Sequence, residues 1–144
     1  MRVFLCLDLG EKRIGVAGGS LETRLATPLL VFKHISRKSD IEKVRQMMSD
    51  HATTDILIGI SRQEDGSPNS MGRHALSFGG ELQKATGITI MYWDEALSTR
   101  DARAQQLENG ASMKNRRGHQ DSLAAAVILQ SYFDSLTQRD ASHS

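Results

Sequence analysis

Val3-Phe4-Leu5-Cys6-Leu7-Asp8-Leu9-Gly10-Glu11-Lys12-Arg13-Ile14-Gly15-Val16-Ala17 is the stretch that decides how the rest of the chain is read. Val3 to Leu9 is a short apolar run closed by Gly10, the size and pattern of a buried strand. Arg13 to Ala17 is a second strand, ended by Gly18-Gly19, and a third runs from about Ala26 to Ile35. Three strands joined by short turns predict an antiparallel meander. Asp8 shares a strand face with Phe4 and Cys6, where an uncompensated charge is costly. It is therefore either the first residue of the Asp8-Leu9-Gly10 turn or a residue with a chemical task.

Beyond the meander the pattern changes period. Ser39 with Glu42 makes a capping box for a first helix, and Ile41, Val44 and Met48 fall on one of its faces. Asp55 to Ile60 reads as a strand, and the polar stretch Ser61 to Ser70, with its Asp65-Gly66-Ser67-Pro68 turn, as an exposed loop. Met71, Ala75, Phe78 and Leu82 step by helical intervals and predict a second helix ending near Gly87. Gly79-Gly80 either weakens that helix or lets another element approach closely. Ile88 to Trp93 is the fifth strand, with Tyr92 and Trp93 read as core and rim packing. Ser98 with Asp101 caps a short helix stopping near Asn109-Gly110, residues 110–119 read as a loop, and a last apolar helix runs from about Gln120 to Leu136. The tail at 137–144 is expected to fray. Strands first and then alternating helix and strand predict one α/β domain over 1–136, a mixed five-stranded sheet with helices on both faces.

The chain has 144 residues, 39% of them hydrophobic and 24% charged, enough apolar matter for a packed core and too much for wholesale disorder. No run approaches the roughly 18–20 apolar residues of a membrane helix, and no secretory pattern opens the chain. The lone cysteine, Cys6, reads as a small buried hydrophobe. These features point to the cytoplasm and away from membranes. The net charge is only +1, yet five basic residues (Arg100, Arg103, Lys114, Arg116 and Arg117) stand against Asp101 and Glu108 between positions 100 and 118. Such a stretch suits a phosphate-bearing partner or a solvated loop.

Three carboxylate positions stand where local folding makes no demand for them: Asp8, the Asp94-Glu95 pair at the end of the fifth strand, and Asp121 at the start of the last helix. A mixed sheet can bring two strand ends and a helix start to one edge. Convergent carboxylates suit Mg²⁺ or Mn²⁺, hard ions that prefer oxygen. Two such ions about 3.5–4 Å apart stabilise both the attacking and the leaving oxygen of a phosphoryl displacement. Zinc is disfavoured: the five histidines show no ligand spacing and one cysteine builds no structural site. No G-x-S-x-G marks a nucleophilic serine.

Asp8-Leu-Gly-Glu-Lys-Arg-Ile-Gly15 closely resembles the opening motif of the YqgF/RuvX family, Holliday-junction-resolvase-like proteins also described as pre-16S rRNA nucleases. Further segments resemble that family in order: Thr27-Pro28-Leu29, Gly59, Asp65-Gly66-Ser67, Asp94-Glu95-Ala96-Leu97-Ser98-Thr99, and Asp121-Ser-Leu-Ala-Ala125 with Ile128 to Tyr132. The likeness spans about residues 3–134. It implies an RNase H-like fold, with Asp8, Glu95 and Asp121 as catalytic and metal-binding acids. It also implies phosphodiester hydrolysis by metal-activated water without a covalent enzyme intermediate. Lys12 and Arg13, with Lys114, Arg116 and Arg117, would then meet backbone phosphates of structured RNA or branched DNA, contacts that fix position more than sequence. A homodimer would suit a two-fold junction.

Two departures from the family pattern stand out. Ala96 occupies a position usually held by arginine, and Ser61-Arg62 replaces the usual proline and apolar residue. Arg62 is the candidate for restoring the missing positive charge on nucleic acid. The rival expectation is a non-catalytic nucleic-acid-binding module on the same fold, with affinity that survives neutralisation of the acids. The same opening motif also resembles the phosphate loop of actin-like ATPases, but 144 residues leave no second lobe to enclose a nucleotide.

Overall fold

The computed structural model describes residues 1–97 and 117–142, with 117–121 described by backbone alone. Five strands, β1 (Val3–Leu9), β2 (Arg13–Ser20), β3 (Thr27–Lys33), β4 (Asp55–Ile60) and β5 (Thr89–Asp94), form one sheet in the order β3-β2-β1-β4-β5. β1 to β3 are an antiparallel meander, and β4 and β5 join in parallel. The helices are α1 (Arg37–Asp50), α2 (Ser70–Thr86) and α3 (Arg117–Ser142).

The sheet is covered on both faces, which is why β1 and β4 read as unbroken apolar runs. Leu5, Leu7, Ile56 and Ile58 pack with Val44 of α1 and Phe78 and Leu82 of α2. The alternate residues Phe4, Cys6 and Leu57 pack with Ala125, Leu129 and Phe133 of α3. Each strand residue thus belongs to one of two cores by parity. Asp55, buried at the start of β4, is held by Arg2 at 3.1 and 3.2 Å and by the Thr54 hydroxyl at 2.8 Å. Burial pushes its carboxyl up, but these hydrogen bonds outweigh it and hold the group below the usual carboxylate value.

Four boundaries differ from the sequence-based expectation: β2 runs on through Gly18-Gly19, which pair with Leu5 and Phe4, to Ser20, and three helix ends move. α1 begins at Arg37, not Ser39: the N-cap is Ser36, whose hydroxyl accepts from the Ser39 N–H at 3.1 Å. Asp40 is buried, accepting from the His34 ring and from the Ile35 N–H, which ties the segment before the cap back onto the first turn. The buried helix face accordingly uses Met47, with Met48 half-buried beside it. The last helix starts at Arg117 and absorbs positions 117–119, expected to be loop. It also continues to Ser142 through the tail expected to fray, where Arg24 holds Asp140 at 2.8 Å and Thr137 at 3.0 Å. The short helix expected after Ser98 lies outside the described residues.

A candidate active site at the ends of β1 and β5

β1 alternates faces, so Asp8 follows Phe4 and Cys6 toward α3 and emerges half-buried at the rim of that core. Its neighbours in the sheet are both glycines. Gly15 is its direct partner on β2. On the other side the parallel register pairs Leu7 with Ile58, which brings Gly59 of β4 alongside Asp8. Neither direct cross-strand neighbour of Asp8 carries a side chain.

Glu95 uses that space. Immediately after β5, its N–H donates to the Ile60 carbonyl at 3.0 Å, which ties the residue to the end of β4. Its side chain folds back across the sheet: a β-carbon on Gly59 would lie 3.0 Å from Glu95 Oε1 and 3.1 Å from Glu95 Cγ. Asp8 and Glu95 therefore converge from β1 and the β5 end onto the same face of the sheet. Both act on the Cys6 sulfur beneath them. Burial pushes the Cys6 thiol well up, and the fields of Asp8 and Glu95 push it further. The thiol remains protonated and apolar in character.

α3 runs antiparallel to β1. Phe133 meets Phe4 edge-on at 5.7 Å, and the backbone of Leu129 meets the Cys6 sulfur. Four helical residues rise about 6 Å, close to the roughly 6.6 Å of two strand residues. Position 125 is therefore level with Asp8, and the backbone of Asp121 stands one turn beyond it, past the end of β1. The side chain of Asp121 lies outside the described atoms. Because the helix starts at Arg117, Asp121 sits in the second turn, where the favourable effect of the helix N-terminus on an acid has already faded.

The basic residues divide. Lys12 and Arg13 are exposed at the β1–β2 turn, which the Gly10 N–H closes by donating to the Arg13 carbonyl at 2.9 Å. Arg13 shares the face of Gly15 and Asp8. Arg62 turns elsewhere: its Nε lies 3.5 Å from Asp94 Oδ2, and it donates to the Gly66 carbonyl at 2.9 Å. Arg62 thus braces the Asp65-Gly66-Ser67 turn against β5. Lys114 and Arg116 lie outside the described residues, as does the side chain of Arg117. Trp93 is packing, as expected, with Nε1 donating to Ser131 Oγ at 3.1 Å and its ring edge-on to Tyr132. Sequence reasoning missed that glycines flank Asp8 on both sides, although Gly15 and Gly59 were each visible at the right distance from a strand end. It also missed Lys33, the cross-strand partner of Arg13.

Among the described residues, no three of His, Cys, Asp and Glu gather at one point. The donors that do converge, Asp8 and Glu95, are all-oxygen, which fits Mg²⁺ or Mn²⁺ and not zinc. Among the same residues no helix is long and apolar enough to cross a membrane.

The fold is that of the RNase H-like nucleases. RuvC of T. thermophilus in complex with a Holliday junction substrate superposes with a TM-score of 0.63 at 13% identity, over 96% of this chain and 97% of that one. The fowlpox virus Holliday junction resolvase follows at 0.54 and 15% identity, over 92% and 99% of the two chains. Residues 2–135 match the family described as RuvX, Holliday junction resolvase, and the chain belongs to that family. A relative from Anaeromyxobacter sp. (strain Fw109-5), named "Putative pre-16S rRNA nuclease", is 37% identical over 131 residues, covering 91% of this chain and 96% of its own. Relatives of the same name from Burkholderia vietnamiensis (34%, 95% and 92% covered) and Thermoanaerobacter pseudethanolicus (35%, 90% and 94%) extend the likeness.

Proposed function

We propose that this protein is a divalent-metal-dependent nuclease that hydrolyses phosphodiesters in structured nucleic acid, with the 5′ end of a 16S rRNA precursor as its first candidate substrate. The observation that carries the reading is the folding of the Glu95 carboxylate over Gly59, on the same face of the sheet as Asp8. Strand-borne carboxylates in a fixed register give the precise placement that phosphoryl chemistry requires. The relatives' names favour RNA, whereas the family's description and the RuvC likeness favour a four-way DNA junction as the second substrate.

Asp8, Glu95 and Asp121 would hold Mg²⁺ or Mn²⁺. A bound ion of this kind supplies an activated water and neutralises charge on the reacting phosphate. The protein's own groups do the rest. The β1 backbone keeps the Asp8 carboxylate at the rim, and the Ile60 carbonyl anchors Glu95 through its N–H. Lys12 and Arg13, exposed at the neighbouring turn, meet the flanking phosphates and fix the register of the strand.

The test compares wild type with Asp8→Asn on a 5′-extended rRNA precursor fragment and on a four-way DNA junction, with Mg²⁺ or Mn²⁺. Wild type cuts one of them, whereas Asp8→Asn, folded to the same Tm, cuts neither and still binds. A well-folded wild type that cuts neither substrate, yet binds as tightly as the variant, would overturn the nuclease reading in favour of a binding module.

A further inference from the structure

Arg13 and Lys33 are partners across the β2–β3 ladder, so their side chains leave the same face of the sheet side by side. Ile14 and Phe32, the next pair, point into the core beneath α1 and α2, which puts Arg13 and Lys33 on the opposite, Asp8-bearing face. Both are exposed. Two like charges directly opposite one another destabilise an antiparallel pair. Five other arginines have carboxylate partners, Arg2 with Asp55, Arg24 with Asp140, Arg37 with Glu81, Arg45 with Glu42 and Arg62 with Asp94, and Arg73 donates to the Pro68 carbonyl. Neither the Arg13 nor the Lys33 side chain has a hydrogen bond or an ion pair among the described residues. A lysine on an edge strand guards against strand-to-strand association. That role does not call for an arginine opposite it.

We propose that Arg13 and Lys33 form a two-step phosphate track that carries the substrate strand away from Asp8 and off the β3 edge of the sheet. The inference rests on the nuclease reading and adds the path of the strand to it. Gly15 faces Asp8, and Arg13 lies two residues back along β2, a diagonal neighbour about 7–8 Å from Asp8. Lys33 stands one strand further out, about 4.8 Å beyond. The cations thus step outward across the sheet from the acid, and a polyanion laid along them meets Arg13 first and Lys33 next. The fitting partner is the sugar-phosphate backbone, because two fixed cations with no hydrogen-bonding frame around them read charge and not sequence.

The test measures binding against salt for wild type, Arg13→Gln, Lys33→Gln and Lys33→Arg, on the better of the two substrates above. Each Gln variant lowers the slope of log K against log salt by about 0.7–0.9, one phosphate contact, and Lys33→Arg retains the wild-type slope. On a substrate trimmed so that the strand ends at the phosphate beside the cut, Lys33→Gln and wild type bind alike. A wild-type slope for Lys33→Gln on the full substrate, or an equal loss on the trimmed one, overturns the track. Wild type that binds and cuts neither substrate overturns the nuclease reading itself, a result distinct from either.

Discussion

Gly59 and Glu95 occupy one another's space: a β-carbon on Gly59 would lie 3.0 Å from Glu95 Oε1 and 2.8 Å from Ile128 Cδ1. The glycine is the seat of the carboxylate. Gly59→Ala pushes the Glu95 side chain away from Asp8 and crowds Ile128, an overpacking cost of about 1–3 kcal/mol. The expected outcome is cleavage reduced at least about tenfold, as a small misplacement of a reacting group commands, with the fold retained by circular dichroism. Full activity in Gly59→Ala would show that the position of Glu95 is not critical.

Gly79 and Gly80, adjacent in α2, should respond in opposite directions. A β-carbon on Gly79 would fall 2.2 Å from the Tyr92 hydroxyl, whereas one on Gly80 meets nothing within 4 Å. Gly80→Ala stabilises by about 0.5–1 kcal/mol through helix propensity. Gly79→Ala must displace the Tyr92 ring from the core and costs about 1–3 kcal/mol. Denaturant midpoints of the two single variants check this, and equal shifts would refute it.

His74 gives the fold a pH dependence. Burial, the Arg37 guanidinium and His34 hold its imidazole below the ordinary value of 6.5, against an opposing pull from Asp40. Arg37 donates to His74 Nδ1 at 3.3 Å, a bond that needs the neutral ring. Because the folded value is depressed, the unfolded chain takes up more protons, and stability falls as pH drops from about 6.5 through the folded value. His74→Gln removes this component, so its unfolding midpoint changes less than that of wild type between about pH 7 and pH 5.5. Identical pH profiles would remove His74 from the account.

Cys6 is fully buried, and its thiol is pushed well above the usual value by burial and by Asp8 and Glu95. Alkylation by iodoacetamide at about pH 8 should therefore be at least about a hundredfold slower in the native protein than in denaturant. Comparable rates in the two states would mean that the core beneath Asp8 opens readily.

The strands were legible because the sheet is covered on both faces: an apolar run bounded by Gly10 means the same thing locally and in the fold, although pairing with β1 carries β2 through Gly18-Gly19 to Ser20. Helix ends were less legible. Ser39 with Glu42 has the local form of a cap, but Ser36 is the N-cap because Asp40 is drawn inward to His34, a partner on the preceding segment. Arg62 shows the same limit at the site. Its charge was visible, but its choice of Asp94 and the Gly66 carbonyl depends on how the turn folds against β5.

Parity and glycine spacing are properties of the chain alone, and they put Asp8 on the face of Phe4 and Cys6 and glycines at 15 and 59. That both glycines flank Asp8, that Glu95 folds over Gly59, and that Lys33 lies opposite Arg13 came from the assembled sheet. Register and strand order are set by packing between residues far apart in the chain, and no local pattern contains them.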